Sequence, residues 1–248
     1  MCTLEKRGSI FLLTLTGADE HRLSPTLMDA ILAALSRVRS ESKETPASAL
    51  VMTGEGKFFC NGLDVQWAKA GGTVDFSERL HILGSKFKAL STDILSLPMP
   101  TIAAISGHAS AGGFIMALCH DYILMRKDRG VLYLSELDIG FLIPRYYMAL
   151  IRSKVVLPAA RRDTVLRAVK LTAEEALARG IIDSAHGTVG ETVNAALRLG
   201  EELASRKWNG ELYALMRKTL LSEVWDSFAA EDSKSIQNYI KGIVASRL

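Results

Sequence analysis

The residues best suited to chemistry sit in three short stretches. Gly107-His108-Ala109-Ser110-Ala111-Gly112-Gly113 follows the apolar, β-branched run Thr101–Ile105 and precedes an apolar segment at 114–119. That pattern is a buried strand, a glycine turn and a helix. The first amides of such a helix lack intrahelical acceptors and their dipoles favour negative charge, so the turn is an anion site in waiting. Gly56-Lys57-Phe58-Phe59-Cys60-Asn61-Gly62-Leu63-Asp64-Val65 repeats the plan after an apolar strand at 49–52. Taken singly, each glycine turn reads first as a point of close packing; taken together, two backbone N–H groups could converge on one oxygen. The third stretch, Leu134-Ser135-Glu136-Leu137-Asp138-Ile139-Gly140-Phe141, sets one glutamate among apolar side chains, dry enough to raise a carboxyl pKa toward neutrality. On its residues alone Glu136 admits two roles, a proton carrier or a structural anion paired with an arginine such as Arg145. Asp138 reads as a turn or pairing residue.

In this order the stretches resemble the enoyl-CoA hydratase/isomerase family, the crotonase superfamily, and the resemblance extends over nearly the whole chain. Where the family carries roughly Phe-Ser-Ala-Gly-Ala-Asp-Leu, this chain has Phe59-Cys60-Asn61-Gly62-Leu63-Asp64-Val65, matching at Gly62 and Asp64 and departing at Asn61. Ser135-Glu136 takes the place of the family's Pro-Glu-x-x-x-Gly. Leu171-Thr172-Ala173-Glu174-Glu175-Ala176-Leu177-Ala178-Arg179-Gly180-Ile181-Ile182-Asp183 is similar to a family segment that marks the fold and holds no chemistry. The resemblance implies an α/β fold, a crotonase-like spiral of repeated ββα units. Residues 1–187 form its acyl-CoA-binding catalytic core, and residues 188–248 a C-terminal helical region used for oligomerisation as a homotrimer or hexamer.

It also implies a thioester whose carbonyl oxygen lies between the backbone N–H groups of Leu63 and Gly112, an oxyanion hole. Whether Gly112 or Gly113 is the second donor stays open. Cys60, Asn61, Gly62, Leu63, Asp64, Gly112 and Ile115 are expected along the substrate, His21, Arg22 and Leu23 beside the CoA moiety, and Glu136 as the catalytic group. Asp64 has a local role as well, as N-cap of the segment after it. Coenzyme A belongs to the substrate, and no separate cofactor is implied.

Hydratases of the family use two glutamates, and the position of the first is Ile115 here. An isoleucine cannot hold or deprotonate water. One carboxylate suffices for a double-bond shift: Glu136 takes a proton from C2 of a 3-enoyl-CoA and returns it to C4, giving the 2-trans-enoyl-CoA. The expectation is a Δ3-Δ2-enoyl-CoA isomerase of fatty acid β-oxidation, most similar to the plant peroxisomal members. Hydration, another enolate reaction such as retro-aldol cleavage of an aromatic acyl-CoA, and non-catalytic acyl-CoA binding are the alternatives. Ser110 is no hydrolase nucleophile, because His108 and Gly112 flank it and the Gly-x-Ser-x-Gly elbow is absent.

The elements that must position these groups follow from periodicity. Residues 9–16 read as an opening strand, and Ser24-Pro25 as the start of a helix striped by Leu27, Met28, Ile31, Leu32, Leu35 and Val38. A long amphipathic helix is expected over 76–97, stopped by Pro98 and Pro100, and a strand over 121–125. From Leu157 onward the pattern is almost wholly helical. Thr172 and Glu175 form a capping box, Gly180 is a stop, and further helices span 192–206 and 212–228. The resemblance assigns Trp208, Tyr213, Trp225 and Tyr239 to subunit contacts.

Composition sets outer bounds. The 248 residues are 48% hydrophobic and 23% charged with net charge +3, ordinary for a soluble enzyme-sized chain. Pairs such as Arg126-Lys127 and Arg161-Arg162 are solvated faces, and the basic residues are scattered without interleaved aromatics, so no nucleic-acid surface is expected. Three cysteines, Cys2, Cys60 and Cys119, favour a reducing compartment over a disulfide framework. No Cys or His pair has metal-ligand spacing, and no apolar run approaches bilayer length. The tail Ser246-Arg247-Leu248 differs from a peroxisomal Ser-Lys-Leu by one cation for another, so a peroxisomal import receptor is the expected partner.

Overall fold

Alternation of apolar side chains dictates the first layer of this computed structural model, which describes residues 1–17, 20–44 and 48–230. β1 (Cys2–Arg7) turns at Gly8 and pairs antiparallel with β2 (Ile10–Leu15). Ile10 and Leu12 pack on one face of the sheet, and Phe11, Leu13 and Leu15 on the other. α1 (Pro25–Glu44) carries the chain to β3 (Ala49–Gly54), parallel to β2. Then β4 (Phe58–Cys60) leaves the sheet, followed by α2 (Val65–Lys69) and α3 (Gly72–Leu95).

The next rounds repeat this plan. β5 (Thr101–Ile105) joins β3, β6 (His108–Ser110) joins β4, and α4 (Gly112–Leu118) follows. β7 (Tyr122–Arg126) joins β5, β8 (Leu132–Tyr133) joins β6, and α5 (Glu136–Ile139) and α6 (Arg145–Lys154) follow. The chain continues through α7 (Pro158–Leu166), α8 (Ala173–Ala178), β9 (Ser184–His186), α9 (Val189–Ser205), α10 (Gly210–Leu220) and α11 (Ser222–Ala229). The larger sheet has the order β1-β2-β3-β5-β7-β9 and the smaller β4-β6-β8, parallel throughout except at β1. This is the expected α/β spiral of ββα units.

Both faces of the larger sheet are buried, and its inner strands therefore read as unbroken apolar runs. α1, α3, α4 and the smaller sheet cover one face; α9 covers the other with Ala196 and Leu203. At Gly200 a Cβ would sit 3.0 Å from Ile10 Cδ1, so the missing side chain brings α9 close. Each fully buried Leu, Ile or Met contributes roughly 1.5–3 kcal/mol, which makes this two-sided burial the main support of the fold. Among the described residues no helix is long and apolar enough to cross a membrane.

Several expectations change. The strand at 9–16 is the second, because β1 precedes it as a polar edge strand whose Glu5, Lys6 and Arg7 face solvent. The long helix begins at Gly72, earlier than 76. The region after Leu157 is almost wholly helical as expected, but it also holds β9, which pairs with β7 and is held by Ile123 N–H donating to Asp183 Oδ2 at 2.6 Å. Three residues are too few to show a strand period. The helix expected over 212–228 breaks at Leu221 (φ −106°, ψ 31°), a buried side chain between α10 and α11. Tyr239 and the tail Ser246-Arg247-Leu248 lie outside the described residues. Of the remaining aromatics only Trp208 is exposed; Tyr213 reaches Asp121 and Trp225 packs against the core.

Candidate active site

Three parallel strands deliver their C-terminal ends to one edge of the smaller sheet, the side on which open α/β sheets gather ligands. After β4 come Asn61 to Asp64; after β6 comes the Ala111 turn into α4; after β8 come Leu134, Ser135 and Glu136, the first residue of α5.

The two glycine turns touch. A Cβ on Gly62 would lie 2.9 Å from Ala111 Cβ and 3.0 Å from Gly112 N, and a Cβ on Gly113 would lie 2.1 Å from Cys60 O. Gly62 also has φ +77°, open to glycine at little cost. Ala111 is held at φ 50°, ψ −125°, a strained setting for a residue with a side chain. Its own backbone is satisfied: the N–H donates to Tyr133 O at 2.7 Å, and its carbonyl accepts from Phe114 and Ile115. The N–H groups of Gly112 and Gly113 have no acceptor among the described residues, and neither does that of Leu63. Phe87 of α3 lies against Gly112, its ring 3.4 Å from where a Cβ would stand.

Leu63 is set from the other side by the loop before α1. Leu23 N–H donates to Gly62 O at 2.8 Å and Asp64 N–H to Leu23 O at 3.2 Å, a one-residue parallel bridge that no local pattern announces. Asp64 Oδ1 accepts from Trp67 N–H at 3.0 Å, the expected N-cap of α2.

The neighbouring expected contacts are placed as follows. The Cys60 side chain is enclosed, its Sγ 3.2 Å from His21 O, and burial pushes its thiol up to about 12, so it offers the turn only backbone. Asn61 Nδ2 donates to Glu20 Oε2 at 3.1 Å, and Glu20 also meets Arg22 at 2.6 Å. That hydrogen bond from Asn61, with the Arg22 charge, holds the Glu20 carboxyl below its usual range. His21 and Leu23, expected beside the CoA moiety, are buried. The His21 ring nitrogens lie 3.0 Å from Phe58 O and 3.2 Å from Gly17 O, so of the three only Arg22 is open to solvent.

Glu136 stands apart from the other acids among the described residues. Its Oε2 is enclosed and has no hydrogen-bond partner, and burial, offset only by its own backbone N–H, pushes the carboxyl up to about 7. No ion pair joins it to Arg145 or to another cation among the described residues, so the pairing with Arg145 is not formed. Leu134 and Ile115 are buried in the same core that Phe141 and Leu63 flank. Leu137, Ile139 and Leu142 stay exposed around it. Asp138 pairs, as expected, accepting a hydrogen bond from the Tyr133 hydroxyl. No group of three His, Cys, Asp or Glu side chains among the described residues could hold a metal ion.

The arrangement offers free amides for a developing oxyanion and, after the neighbouring strand, one carboxyl that desolvation pushes up to about 7, the equipment for moving a proton next to a carbonyl.

Residues 5–236 match the family model described as enoyl-CoA hydratase/isomerase. The chain is 52% identical over 225 residues to enoyl-CoA delta isomerase 3 of Arabidopsis thaliana, covering 90% of this chain and 93% of that one. It is 51% identical over 226 residues to enoyl-CoA delta isomerase 2, peroxisomal, of the same plant, covering 90% and 93%. A crystal structure of an enoyl-CoA hydratase from Mycobacterium ulcerans superposes with TM-score 0.80 at 22% identity, over 92% of this chain and 95% of that one, a likeness of fold.

Proposed function

The chain belongs to the enoyl-CoA hydratase/isomerase family, and from that premise we propose how it shifts the double bond of a 3-enoyl-CoA to give a 2-enoyl-CoA. The thioester oxygen lies between the N–H groups of Leu63 and Gly112. The Glu136 carboxylate removes a proton from C2, and the electron pair delocalises onto the thioester oxygen, where each fixed donor is worth on the order of 3 kcal/mol. The carboxylic acid so formed returns the proton at C4. The bond order moves along the chain, and the glutamate ends as it began.

One observation carries this reading: the acid at the strand ends has one carboxyl oxygen enclosed without a hydrogen-bond partner and, among the described residues, no ion pair. Ile115, at the position where a hydratase of the family carries its other glutamate, is buried and cannot direct water, and Leu134, two residues before Glu136, is buried as well. A base that must keep its proton between two carbons works best where solvent cannot take it. Glu136→Gln should abolish conversion of 3-hexenoyl-CoA to 2-hexenoyl-CoA, and the parent should add water to crotonyl-CoA far more slowly than it isomerises. An active Glu136→Gln enzyme excludes Glu136 as the base, and fast hydration excludes the isomerase reading.

The peroxisomal relative and the tail Ser246-Arg247-Leu248 support import into peroxisomes through that tail; a fluorescent fusion to the intact chain that stays outside peroxisomes excludes import, and one lacking those three residues that still enters them excludes the tail as its signal. Exposed Leu212, Leu215, Met216 and Leu220 on α10 support a role for residues 188–248 in a homo-oligomer built on the 1–187 core, and a monomer at micromolar concentration contradicts it.

A further inference from the structure

Apart from its own backbone N–H, nothing among the described residues is bonded to the Glu136 carboxyl, so its aim depends on the turn that carries it. α5 is a single turn, and Ser135 gives it no side-chain cap. Its backbone bonds, Ile139 N–H to Ser135 O and Phe141 N–H to Glu136 O, close the turn on itself without tying it to the sheet.

Tyr133 supplies such a tie. Its backbone is anchored: β8 pairs with β6 at Ser110, and the Tyr133 carbonyl accepts from Ala111 N–H at 2.7 Å, at the glycine turn. Next to it Leu132 exchanges hydrogen bonds with Leu171 at 2.8 and 2.9 Å. Its hydroxyl donates to Asp138, two residues beyond Glu136 on α5. One side chain therefore spans from the turn that holds the free amides to the turn that holds the acid. Lys170 Nζ sits 5.0 Å from the Tyr133 ring centroid and steadies the ring. The hydrogen bond to Asp138, with the Asp138 and Glu136 charges, pushes the phenol up to about 12, so it remains a donor through the neutral range.

We infer that Tyr133 and Asp138 are positioning residues that hold Glu136 in register with the Leu63 and Gly112 amides, Asp138 serving as a hydrogen-bond acceptor and not as an acid or base. The inference rests on Glu136 being the base. It assigns work to an acid that would otherwise compete for the catalytic role, and it sets what substitutions at Asp138 must do. An acceptor can be replaced by an amide oxygen; a proton carrier cannot.

The test compares Tyr133→Phe, Asp138→Ala, Asp138→Asn and the Tyr133→Phe/Asp138→Ala double variant, with Glu136→Gln beside them, on 3-hexenoyl-CoA. Tyr133→Phe and Asp138→Ala should each lower kcat by about 10-fold, the scale of one lost orienting hydrogen bond, with KM changed less than about twofold. The double variant should match the singles, since both remove the same bond. Asp138→Asn should keep at least about half of the parent kcat, because its carbonyl still accepts from the tyrosine. The acid limb of kcat/KM should keep its midpoint in all of them. If Asp138→Asn falls as far as Asp138→Ala, or an ionisation disappears from its pH profile, Asp138 is itself an acid or base and the inference is overturned. Parent-like rates in Tyr133→Phe and Asp138→Ala overturn it too. An inactive Glu136→Gln enzyme alongside those rates confines the failure to the tie; an active one removes the base assignment beneath it.

Discussion

Glu136 and Asp121 are both acids withdrawn from water, and their surroundings are opposites. Asp121 Oδ1 accepts from Arg217 Nε at 2.6 Å; its Oδ2 accepts from Arg217 Nη2 at 2.6 Å, Thr101 N–H at 2.9 Å and the hydroxyls of Thr101 and Tyr213 at 3.2 Å. Burial by itself would raise this carboxyl, but the hydrogen bonds and charge of Arg217 outweigh it and hold the group below its usual range. Glu136 is half-buried with no such donors, and desolvation raises its carboxyl to about 7. Withdrawal from water is common to both, so partners decide the outcome. The satisfied acid fastens α10 to the core, and the unsatisfied one keeps a proton that can be exchanged.

The largest expected effect is on turnover. Glu136→Gln should lower kcat by about 10³-fold or more, the range of a positioned acid–base group. Its stability should move the other way. An unfolded glutamate titrates near 4.5 and the folded one near 7, so between those values the folded state holds a proton the unfolded chain has lost. Stability therefore falls as pH rises across that window and is flat above it, a cost of roughly 3 kcal/mol by pH 8. Glutamine removes that cost. Denaturant melts of parent and variant should show the variant ahead, by more at pH 8 than at pH 5, and an equal gap at both breaks the comparison. The same shift sets the parent's acid limb of kcat/KM near pH 7, where an ordinary glutamate would give 4.5.

Next in size is the satisfied acid. Arg217→Met would leave Asp121 buried without its cation and strip donors from the carbonyls of Leu95, Leu97 and Met99. Breaking such a pair costs about 3–5 kcal/mol, read as a lowered denaturation midpoint, with kcat per folded molecule unchanged within about twofold. The pH signs also oppose. A lowered carboxyl contributes stability present above its unfolded value and lost as pH falls through the folded one, so Asp121 weakens in acid where Glu136 costs least. A loss of turnover as deep as the loss of stability would put Asp121 in the chemistry.

This contrast also separates what was legible in the sequence from what was not. The glycine turn before α4, the lone glutamate and the isoleucine at 115 are local signals, carried by residue type at fixed spacing. β5 and the capping box at Thr172, with Glu175 returning to the Thr172 N–H at 2.9 Å, are equally local and stand where the pattern put them. β4, β6 and β8 have two or three residues each, too short for a period, although they bring the three stretches to one edge. Arg217 lies 96 positions from Asp121, and nothing on α10 marks it as an inward-facing cation. The Leu23–Leu63 bridge and the Tyr133–Asp138 tie are likewise tertiary facts. Chemistry left a local mark; the geometry that aims it did not.

The smallest effect concerns a third acid. Asp64 is neither stranded like Glu136 nor enclosed by a cation like Asp121; it accepts the Trp67 N–H at 3.0 Å as the N-cap of a five-residue helix. As a cap, Asp64→Ala should cost about 1 kcal/mol of stability and leave KM for acyl-CoA unchanged, and Asp64→Asn should restore most of the loss, since asparagine caps as well as aspartate. As a substrate contact it would raise KM in both variants, because the charge goes in both. Measuring stability and KM together distinguishes the two, and a raised KM with parent-like stability in Asp64→Asn would move Asp64 from the frame of the site into its binding surface.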